Sequence, residues 1–315
     1  MMTNKTILNK KNITHQRDTY HIDKIKERID KHNIEQGNSE RGKERKIEAE
    51  HYKEVIVKRI DGTFRHADDI LQLAIHEGKS QIERPILGLL LSSVAAGMII
   101  GFTVLAVAVI TSIVGSTEGI NRVFMALVYP LGFVLCILSR TQLFTEHTAT
   151  AVYPLLDGTT DIAGALKLWI IVILGNLTGG FTISVLLNAA EPVIHAKEGY
   201  LLVAEHVLQY DSTSLLISAV LAGWLMAIGA WTILSTHSTS SQILCIYIAT
   251  FLIGIGGLHH SIAGSVELFI GYLMSPEITL MTITPVILLA LLGNAIGGSI
   301  FVALLNYGHI RGLNK

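Results

Sequence analysis

The chain has 315 residues, of which 50% are hydrophobic and 16% are charged, with a mean hydropathy of +0.50 and a formal net charge of −1. The charge is divided unevenly, because residues 1–85 hold 18 of the 24 lysines and arginines and 15 of the 25 aspartates and glutamates. A charged side chain at the centre of a bilayer is costly, so the long and nearly uncharged remainder excludes a soluble globular protein and indicates a polytopic membrane protein.

The first 85 residues are predicted to form a charged cytoplasmic tail. Their basic residues lead into no apolar core of about 7 to 15 residues, so the sequence predicts no cleaved secretory signal. The lysines and arginines beside the first span, with Arg311 and Lys315, place both termini in the cytoplasm by the positive-inside rule. Mixed charges at residues 21–60 indicate a solvated helix or a disordered arm, and neither implies nucleic acid. The pattern between Phe64 and Ile82 predicts an amphipathic helix at the membrane face.

Residues 86–315 are predicted to form a six-span channel domain. Four apolar runs are long enough to cross about 30 Å of hydrocarbon. They are Ile86–Val114, Gly164–Ala190, Thr213–Ser235 and Thr282–Asn306. Two further runs meet a polar segment and continue as a short apolar piece. They are Val123–Leu138, followed by Thr148–Leu156, and Gln242–Leu258, followed by Ile262–Met274. Polar backbone at membrane depth is tolerated only where it is buried in protein or lines a water-filled cavity, so the second and fifth spans are predicted to be broken.

An internal repeat relates the third and sixth predicted spans. The motif Leu-Gly-Asn-x-x-Gly-Gly, followed by Leu-Leu-Asn, begins at Leu174 and again at Leu292, an offset of 118 residues. The same offset carries Gln142 onto His260. Each unit holds three spans, an odd number, so the second copy is expected to insert upside down. The expected fold is therefore an all-α membrane protein with six transmembrane helices arranged as two inverted three-helix repeats.

The first spans of the two units match at a longer offset. Ala96-Gly97 corresponds to Ala222-Gly223 at an offset of 126 residues, and the extra residues are expected in loops. The glycines of these matched segments are interpreted as packing residues, because small side chains let membrane helices approach closely.

Two histidines, His259 and His260, stand in the middle of an apolar run. An ionisable residue inside a membrane is a functional-site hypothesis by default, and a histidine can gain or lose a proton near physiological pH. An anion that approaches such a ring favours its protonation, and the pair can exchange a proton so that the permeant crosses as a neutral acid. The competing interpretation is a histidine that only satisfies a neighbouring carbonyl in the helix bundle.

Three motifs resemble those of the formate/nitrite transporter family. Gly257-Leu258-x-His260-Ser261-Ile262-Ala263 is similar to the family signature Gly-Phe-Glu-His-Ser-Ile-Ala-Asn. Gln142-Leu143-Phe144-Thr145 resembles the Glu-Leu-Phe-Thr loop, and Ala222-Gly223-Trp224-Leu225 resembles the Ala-Asn-x-Leu/Met stretch. The resemblance extends from Pro85 to the C-terminus. It implies an aquaporin-like protomer, a homopentamer with one pore per subunit in the bacterial inner membrane, and passage of small monovalent anions such as formate, nitrite or hydrosulfide.

The family's functional positions carry over in part. The resemblance implies that His260 is the central pore histidine, that Phe144 and Thr145 belong to the loop that breaks the second span, and that Thr160 is a hydrogen-bond partner. The chain departs from the family in having His259 and Gln142 where glutamate is usual, and Gly223 and Gly264 where asparagine is usual. The basic residue that many members carry before the fourth span falls near Val207, with only His206 close. These departures and the long charged tail resemble a branch whose substrate is poorly defined.

Three further charged residues flank the predicted pore. Arg140 and Glu146 stand on either side of the first break, and either they form a local ion pair or Arg140 supplies the positive potential that attracts anions. Glu267 follows His260 by seven residues and is expected on the same helical face.

Other functions remain open at the level of sequence. Serine and histidine recur at residues 237–241 and 260–261, but no nucleophile-elbow or zinc-protease motif supports an intramembrane enzyme. The same architecture could carry a small neutral solute, or the tail could recruit a partner while the pore is vestigial. Cys136 and Cys245 are interpreted as buried small hydrophobes, without a disulfide or zinc. The sequence predicts no cofactor, no metal and no nucleic-acid partner; the expected partners are a small monovalent anion, the lipid bilayer and further copies of the chain.

Overall fold

The computed structural model describes residues 65–312. The predicted arm at residues 21–60 and the rest of the tail up to residue 64 lie outside the described residues, so the domain boundary at residue 85 stays a prediction. Within residues 65–312 every regular element is helical, which confirms the predicted all-α class.

The first described helix, α1 (Ala67–Glu83), confirms the amphipathic helix predicted between Phe64 and Ile82. Its apolar face, which includes Leu71, is buried against the helix bundle. Gly78 lies directly against the backbone of Thr150, where any Cβ would collide. Helix α1 is therefore packed closely onto the segment that follows the second span.

Six helices in the described part of the chain are long and apolar enough to cross a membrane, as predicted. They are α2 (Ile86–Val114), α3 (Asn121–Val128) continued by α4 (Pro130–Leu138), α7 (Ile162–Ala189), α10 (Ser212–Leu234), α11 (Thr239–Gly256) and α13 (Leu280–Gly298), the last continued by a π-helical segment Ser299–Leu304 and by α14 (Leu305–Gly312). The shorter helices are α5 (Phe144–Thr150), α6 (Val152–Leu156), α8 (Glu191–Ile194), α9 (Lys197–Leu208) and α12 (Ser261–Met274).

Helix α2 defines the two membrane faces. Its 29 residues extend over about 43 Å, enough to cross the whole bilayer. We call the face at Pro85, where α2 begins, the near face, and the face at Gly115, where α2 ends, the far face. With six spans, the C-terminal helix α14 returns to the near face.

The second and fifth spans are broken, as predicted. Residues 139–143 separate α4 from α5, and residues 257–260 separate α11 from α12. Each break contains one residue with a left-handed backbone, Arg140 at φ 54° and Gly257 at φ 57°. Such a residue turns the chain out of the helix.

A buried asparagine fixes each break. Asn176 of α7 accepts a hydrogen bond from the backbone N–H of Phe144 at 2.8 Å, and its amide donates to the carbonyls of Gln142 and Ser93, both at 2.8 Å. In the second unit, Asn294 of α13 makes the same set of bonds. Its partners are the N–H of Ser261 at 2.8 Å and the carbonyls of His259 at 3.0 Å and Ala219 at 2.7 Å.

These paired hydrogen bonds correct the predicted register of the two breaks. Gln142 corresponds to His259, and Leu143, which precedes α5, corresponds to His260, which precedes α12. The predicted match of Gln142 with His260 is wrong by one residue, because the second break is one residue shorter than the first. The longer offset of the first spans also has another origin than the predicted loops. Most of the extra residues lie in a helix, since α2 has 29 residues and α10 has 23.

The repeated glycines are packing residues, as interpreted. Gly97 meets the backbone of Asn176, and Gly223 meets the backbone of Asn294, so that a Cβ at either position would collide. Close helix contact at these glycines brings α2 to α7 and α10 to α13, which places the two asparagines where they can hold the breaks.

Candidate functional site

His260 lies where the two broken spans meet. It is 2% exposed and caps the N-terminus of α12, with Nδ1 accepting the backbone N–H of Ala263 at 3.2 Å. Its Nε2 is 2.8 Å from the hydroxyl of Thr145 in α5. Because Nδ1 is an acceptor here, a neutral ring carries its proton on Nε2 and donates it to Thr145. The edge of the Phe133 ring packs against the imidazole, with centroids 4.8 Å apart at 81°.

The predicted role of Thr160 as the hydrogen-bond partner is wrong. Both nitrogens of His260 are occupied, by Thr145 and by the backbone of Ala263. Thr160 lies in the connection before α7, where its backbone N–H donates to the carbonyl of Pro154 at 3.3 Å. Thr145 fills the role because the break turns the start of α5 toward His260.

Phe144 and Gln142 build the first break. The buried Phe144 ring meets Trp169 edge to face, with centroids 6.0 Å apart. The side-chain oxygen of Gln142 accepts a hydrogen bond from Nε2 of His147, and its amide donates to the carbonyl of Arg140 at 3.3 Å. His147 is not among the residues predicted from the sequence, although a histidine at the edge of an apolar piece is a recognisable signal.

A cavity of about 80 Å³ extends from His260 toward the far face. Its polar lining comes from the second break, from α12, from the second span and from the far-face connections, while α2 and α13 contribute apolar walls. The charged and titratable residues in its wall are Arg122, Tyr129, His206, His259, His260 and Glu267. This volume holds only a few water molecules or one small ion.

Arg122, which is not among the residues predicted from the sequence, supplies the positive charge in this cavity. The side chain is half-buried, and its guanidinium lies against Gly257 in the second break. Burial lowers the pKa of His206 below its ordinary value of 6.5. The Arg122 cation lowers this pKa further, and the Glu118 carboxylate acts in the opposite direction. The signal was a lone arginine at the start of an apolar span.

His259 belongs to the wall of the mouth rather than to the centre. Its Nδ1 is 2.8 Å from the hydroxyl of Ser218, and its ring meets Tyr210 edge to face, with centroids 5.2 Å apart. Tyr210 in turn contacts His206, with centroids 5.4 Å apart. The three rings form one aromatic side of the far-face entrance.

Arg140 and Glu146 lie on the near side of the centre. Among residues 65–312 the ion pairs are Lys79–Glu83 and Arg311–Asp157, so the predicted alternative of an Arg140–Glu146 pair is wrong. Arg140 is exposed, whereas Glu146 lines a small separate pocket between α4, α10 and α11. Backbone geometry explains the separation, since the left-handed Arg140 directs the chain back into the membrane.

The sequence matches one protein family across most of its length. Residues 68–308 match the sequence model of the family described as formate/nitrite transporter. The chain belongs to the formate/nitrite transporter family. It is 29% identical over 304 residues to the inner membrane protein YfdC of Escherichia coli (strain K12), which covers 92% of this chain and 90% of that protein. This likeness agrees with the branch predicted from the tail and the motif departures.

Solved structures of the formate/nitrite transporter family share the fold. A chain described as an FNT family ion channel superposes with a TM-score of 0.67 at 21% identity, covering 77% of this chain and 98% of that one. A pentameric formate channel with formate bound superposes with a TM-score of 0.63 at 18% identity, covering 72% of this chain and 97% of that one. Both confirm the predicted all-α membrane fold with six spans.

Proposed function

We propose that this member of the formate/nitrite transporter family carries small monovalent anions, such as formate or nitrite, through the passage at His260. The observation that carries the proposal is the buried bond between His260 and Thr145, which joins the two broken spans at the floor of the far-face cavity. A titratable ring at this depth is costly to place unless the site uses it.

The neutral ring and its apolar neighbours act on the permeant together. An anion beside Phe133 loses its hydration, which raises the cost of its charge. If the anion and His260 share one additional proton, the pair becomes net neutral, and the permeant can leave as the neutral acid. The small cavity restricts this passage to molecules of a few heavy atoms.

A neutral-solute channel is the second candidate, and Glu267 favours it. The side chain is buried in the wall of the cavity that an anion would enter, and a carboxylate there repels anions. The two functions differ in their dependence on pH, because uptake of an anion with a proton grows as the external solution becomes more acidic.

Replacement of the pore histidine tests the proposal. In proteoliposomes of the purified protein, His260→Asn should abolish pH-dependent formate uptake measured by stopped flow, since asparagine cannot share the extra proton. His195→Asn is the matched control, because His195 is exposed on a far-face turn with φ 53°, a conformation that asparagine tolerates. Unchanged pH-dependent uptake in His260→Asn, with the normal unfolding temperature, would overturn the mechanism. Uptake of ammonia or glycerol without formate uptake in the wild type would support the neutral-solute channel.

We also infer that the protein has no enzymatic activity. The serine and histidine segments do not form a catalytic pair. Among residues 65–312 the hydroxyl of Ser261 has no hydrogen-bond partner, and His237 contacts Arg65. The motif-bearing residues build a passage instead.

The near face is proposed to be cytoplasmic. The predicted tail carries 18 of the 24 lysines and arginines and leads into α1 and Pro85 at this face. The positive-inside rule retains such a segment in the cytoplasm. This orientation directs the far-face cavity and Arg122 to the outer side of the inner membrane.

A homopentamer is proposed from the outer surface and from the related channel. Large apolar side chains are exposed on the outside of the bundle, including Leu87, Leu174, Ile217 and Leu288. Lipid tails and neighbouring protomers are the two environments that cover such a surface. The similar formate channel is pentameric. In a pentamer of this chain, with one passage in each copy, neighbouring protomers cover part of the apolar surface.

A further inference from the structure

Glu267 lies on the cavity face of α12, beyond the pore histidine. His260 caps this helix, Gly264 follows it by four residues and Glu267 by seven, and all three line the far-face cavity. This spacing places them on one side of the helix, with Glu267 about two turns closer to the far face. Glu267 is 8% exposed, so its carboxyl group is reached through the cavity.

The carboxyl group of Glu267 is not used by the fold. Among the described residues it makes no hydrogen bond and no ion pair, although it is buried. The charged and titratable groups that face the cavity from the surrounding elements are Arg122 at the start of the second span, Tyr129 between α3 and α4, His206 of α9, and His259 and His260 of the second break. The cavity walls formed by α2 and α13 add no titratable side chain. An unpaired buried carboxylate is costly, and the neutral acid avoids that cost.

Open space connects Glu267 to His260. A Cβ at Gly264, which lies between them, would meet no atom within 4 Å. The hydroxyl of Ser261, which lines the same cavity and is 1% exposed, has no hydrogen-bond partner among the described residues. The open space beside Gly264 and the unpaired hydroxyl of Ser261 together point to a small polar molecule between Glu267 and His260.

His260 is poorly arranged to take its proton directly from solution. Nε2 donates to Thr145, and Nδ1 can accept a proton only if it releases the N–H of Ala263 that it caps. The additional proton that the anion needs must therefore come from another group on the far side. Glu267 is the acid in the cavity wall with no competing partner.

We propose that Glu267 is the proton-loading group of the far-face cavity. In the step, the O–H bond of the protonated carboxyl breaks, and a new O–H bond forms on the anion, so that Glu267 becomes a carboxylate and the permeant becomes a neutral acid. The neutral acid passes His260, and the Glu267 carboxylate regains its proton from hydronium in the far-side solution, which becomes water. The inference rests on the proposed anion transport and names the residue that makes it dependent on far-side pH.

The test compares Glu267→Gln with the control Glu277→Gln in membrane vesicles of defined orientation. Glu277 is exposed in the loop after α12, so it takes the same substitution outside the cavity. Formate uptake is followed while the far-side buffer is changed from neutral to mildly acidic. We expect the acid-stimulated uptake of Glu267→Gln to be at least about tenfold lower than that of the wild type, in keeping with the contribution of a positioned general acid. Glu277→Gln should behave as the wild type, and acidification of the near side should act equally on all three proteins.

Two outcomes would overturn the inference. One is an unchanged dependence on far-side pH in Glu267→Gln. The other is faster uptake at every pH, which would mean that the carboxylate only repels anions. Glu267→Asp, which keeps the acid, should retain part of the acid stimulation, and this separates proton loading from a fault in folding. If His260→Asn stops transport but Glu267→Gln leaves the pH profile intact, the proposed function stands and only the role of Glu267 fails.

Filling the open space provides a second measurement. Gly264→Leu places a bulky apolar side chain between Glu267 and His260, and we expect slower acid-stimulated uptake with the unfolding temperature unchanged. Acid-stimulated uptake equal to that of the wild type would contradict the proposed path from Glu267 to His260.

Discussion

Arg122 and Arg140 show that a charge near a pore motif in the sequence need not be near the pore in space. Arg140 is two residues from Gln142, yet it is exposed on the near side. Arg122 is far from both breaks in sequence, but its guanidinium lies against Gly257 in the cavity wall. A positive charge inside a cleft with low-dielectric walls concentrates anions more effectively than one in open solvent.

The first residue-scale prediction concerns anion capture. Arg122→Gln should lower formate uptake from the far side by about tenfold at low ionic strength, with a smaller loss at high salt, because screening weakens the attraction in the wild type. Arg140→Gln is the matched control and should leave far-side uptake unchanged. Stopped-flow uptake over a salt series measures both. A loss confined to Arg140→Gln would restore the interpretation that Arg140 supplies the positive potential.

Arg122→Gln should also raise the pKa of His206 at the mouth of the cavity. Burial and then the Arg122 cation hold the pKa of His206 below 6.5. Removing the cation therefore raises the pKa of His206 toward that value, and the ring takes up its proton at a higher pH. Histidine-labelled protein in nanodiscs, titrated by NMR, would follow this change. If the pKa of His206 is the same in the wild type and in Arg122→Gln, the guanidinium does not lie where the structure has it.

At the scale of elements, the two asparagine clamps determine how the broken spans are held. Each clamp satisfies one carbonyl of a break and the first N–H of the helix that follows it, and ties them to the first span of the same unit. Unpaired backbone groups at membrane depth are not tolerated, so the asparagines allow an irregular segment where a helix would otherwise be required.

Removing a clamp should destabilise the protein. Asn176→Ala and Asn294→Ala each leave buried backbone groups unsatisfied, and we expect each to lower the free energy of unfolding by about 2 kcal/mol or more. Asn188→Ala, a half-buried asparagine near the end of α7, serves as control and should change it by less than about 0.5 kcal/mol. Thermal unfolding in detergent gives the comparison. Equal melting temperatures for the clamp variants and the control would contradict the structural role of the clamps.

Much of the element-scale structure could be predicted from the sequence. Hydropathy determined the six spans, and for α2 the predicted bounds, Ile86–Val114, are those observed. The register of the breaks could not be read from the glycine motif, because the offset of 118 holds for α7 and α13, whereas the loops carrying Gln142 and His259 differ in length. Hydrogen bonds between distant segments set that register.

At the scale of the whole molecule, six spans bring both ends of the bundle to one face. We expect the charges of the N-terminal tail to determine which side of the membrane that face takes. In the proposed mechanism the position of the cavity determines which solution supplies its protons and anions, so orientation and mechanism are linked.

Accessibility of single cysteines measures the orientation. In a background with Cys136→Ala and Cys245→Ala, Glu118→Cys lies in an exposed far-face connection, and Gly308→Cys is exposed on α14 at the near face. A membrane-impermeant maleimide added to spheroplasts with an intact inner membrane should label Glu118→Cys and reach Gly308→Cys only after lysis. The reverse pattern would place the far-face cavity on the cytoplasmic side.

The sequence by itself determined the membrane class, the number of spans, the two breaks and the family, because hydropathy and motif order are properties of local segments. Only the tertiary structure decided which side chains share the passage. It replaced Thr160 by Thr145 as the partner of His260, exchanged Arg140 for Arg122 as the cation of the cavity, and opened space beside Gly264. Those relations depend on how distant helices pack across glycines and asparagines, and a one-residue difference in a loop changes which side chain lies at the centre.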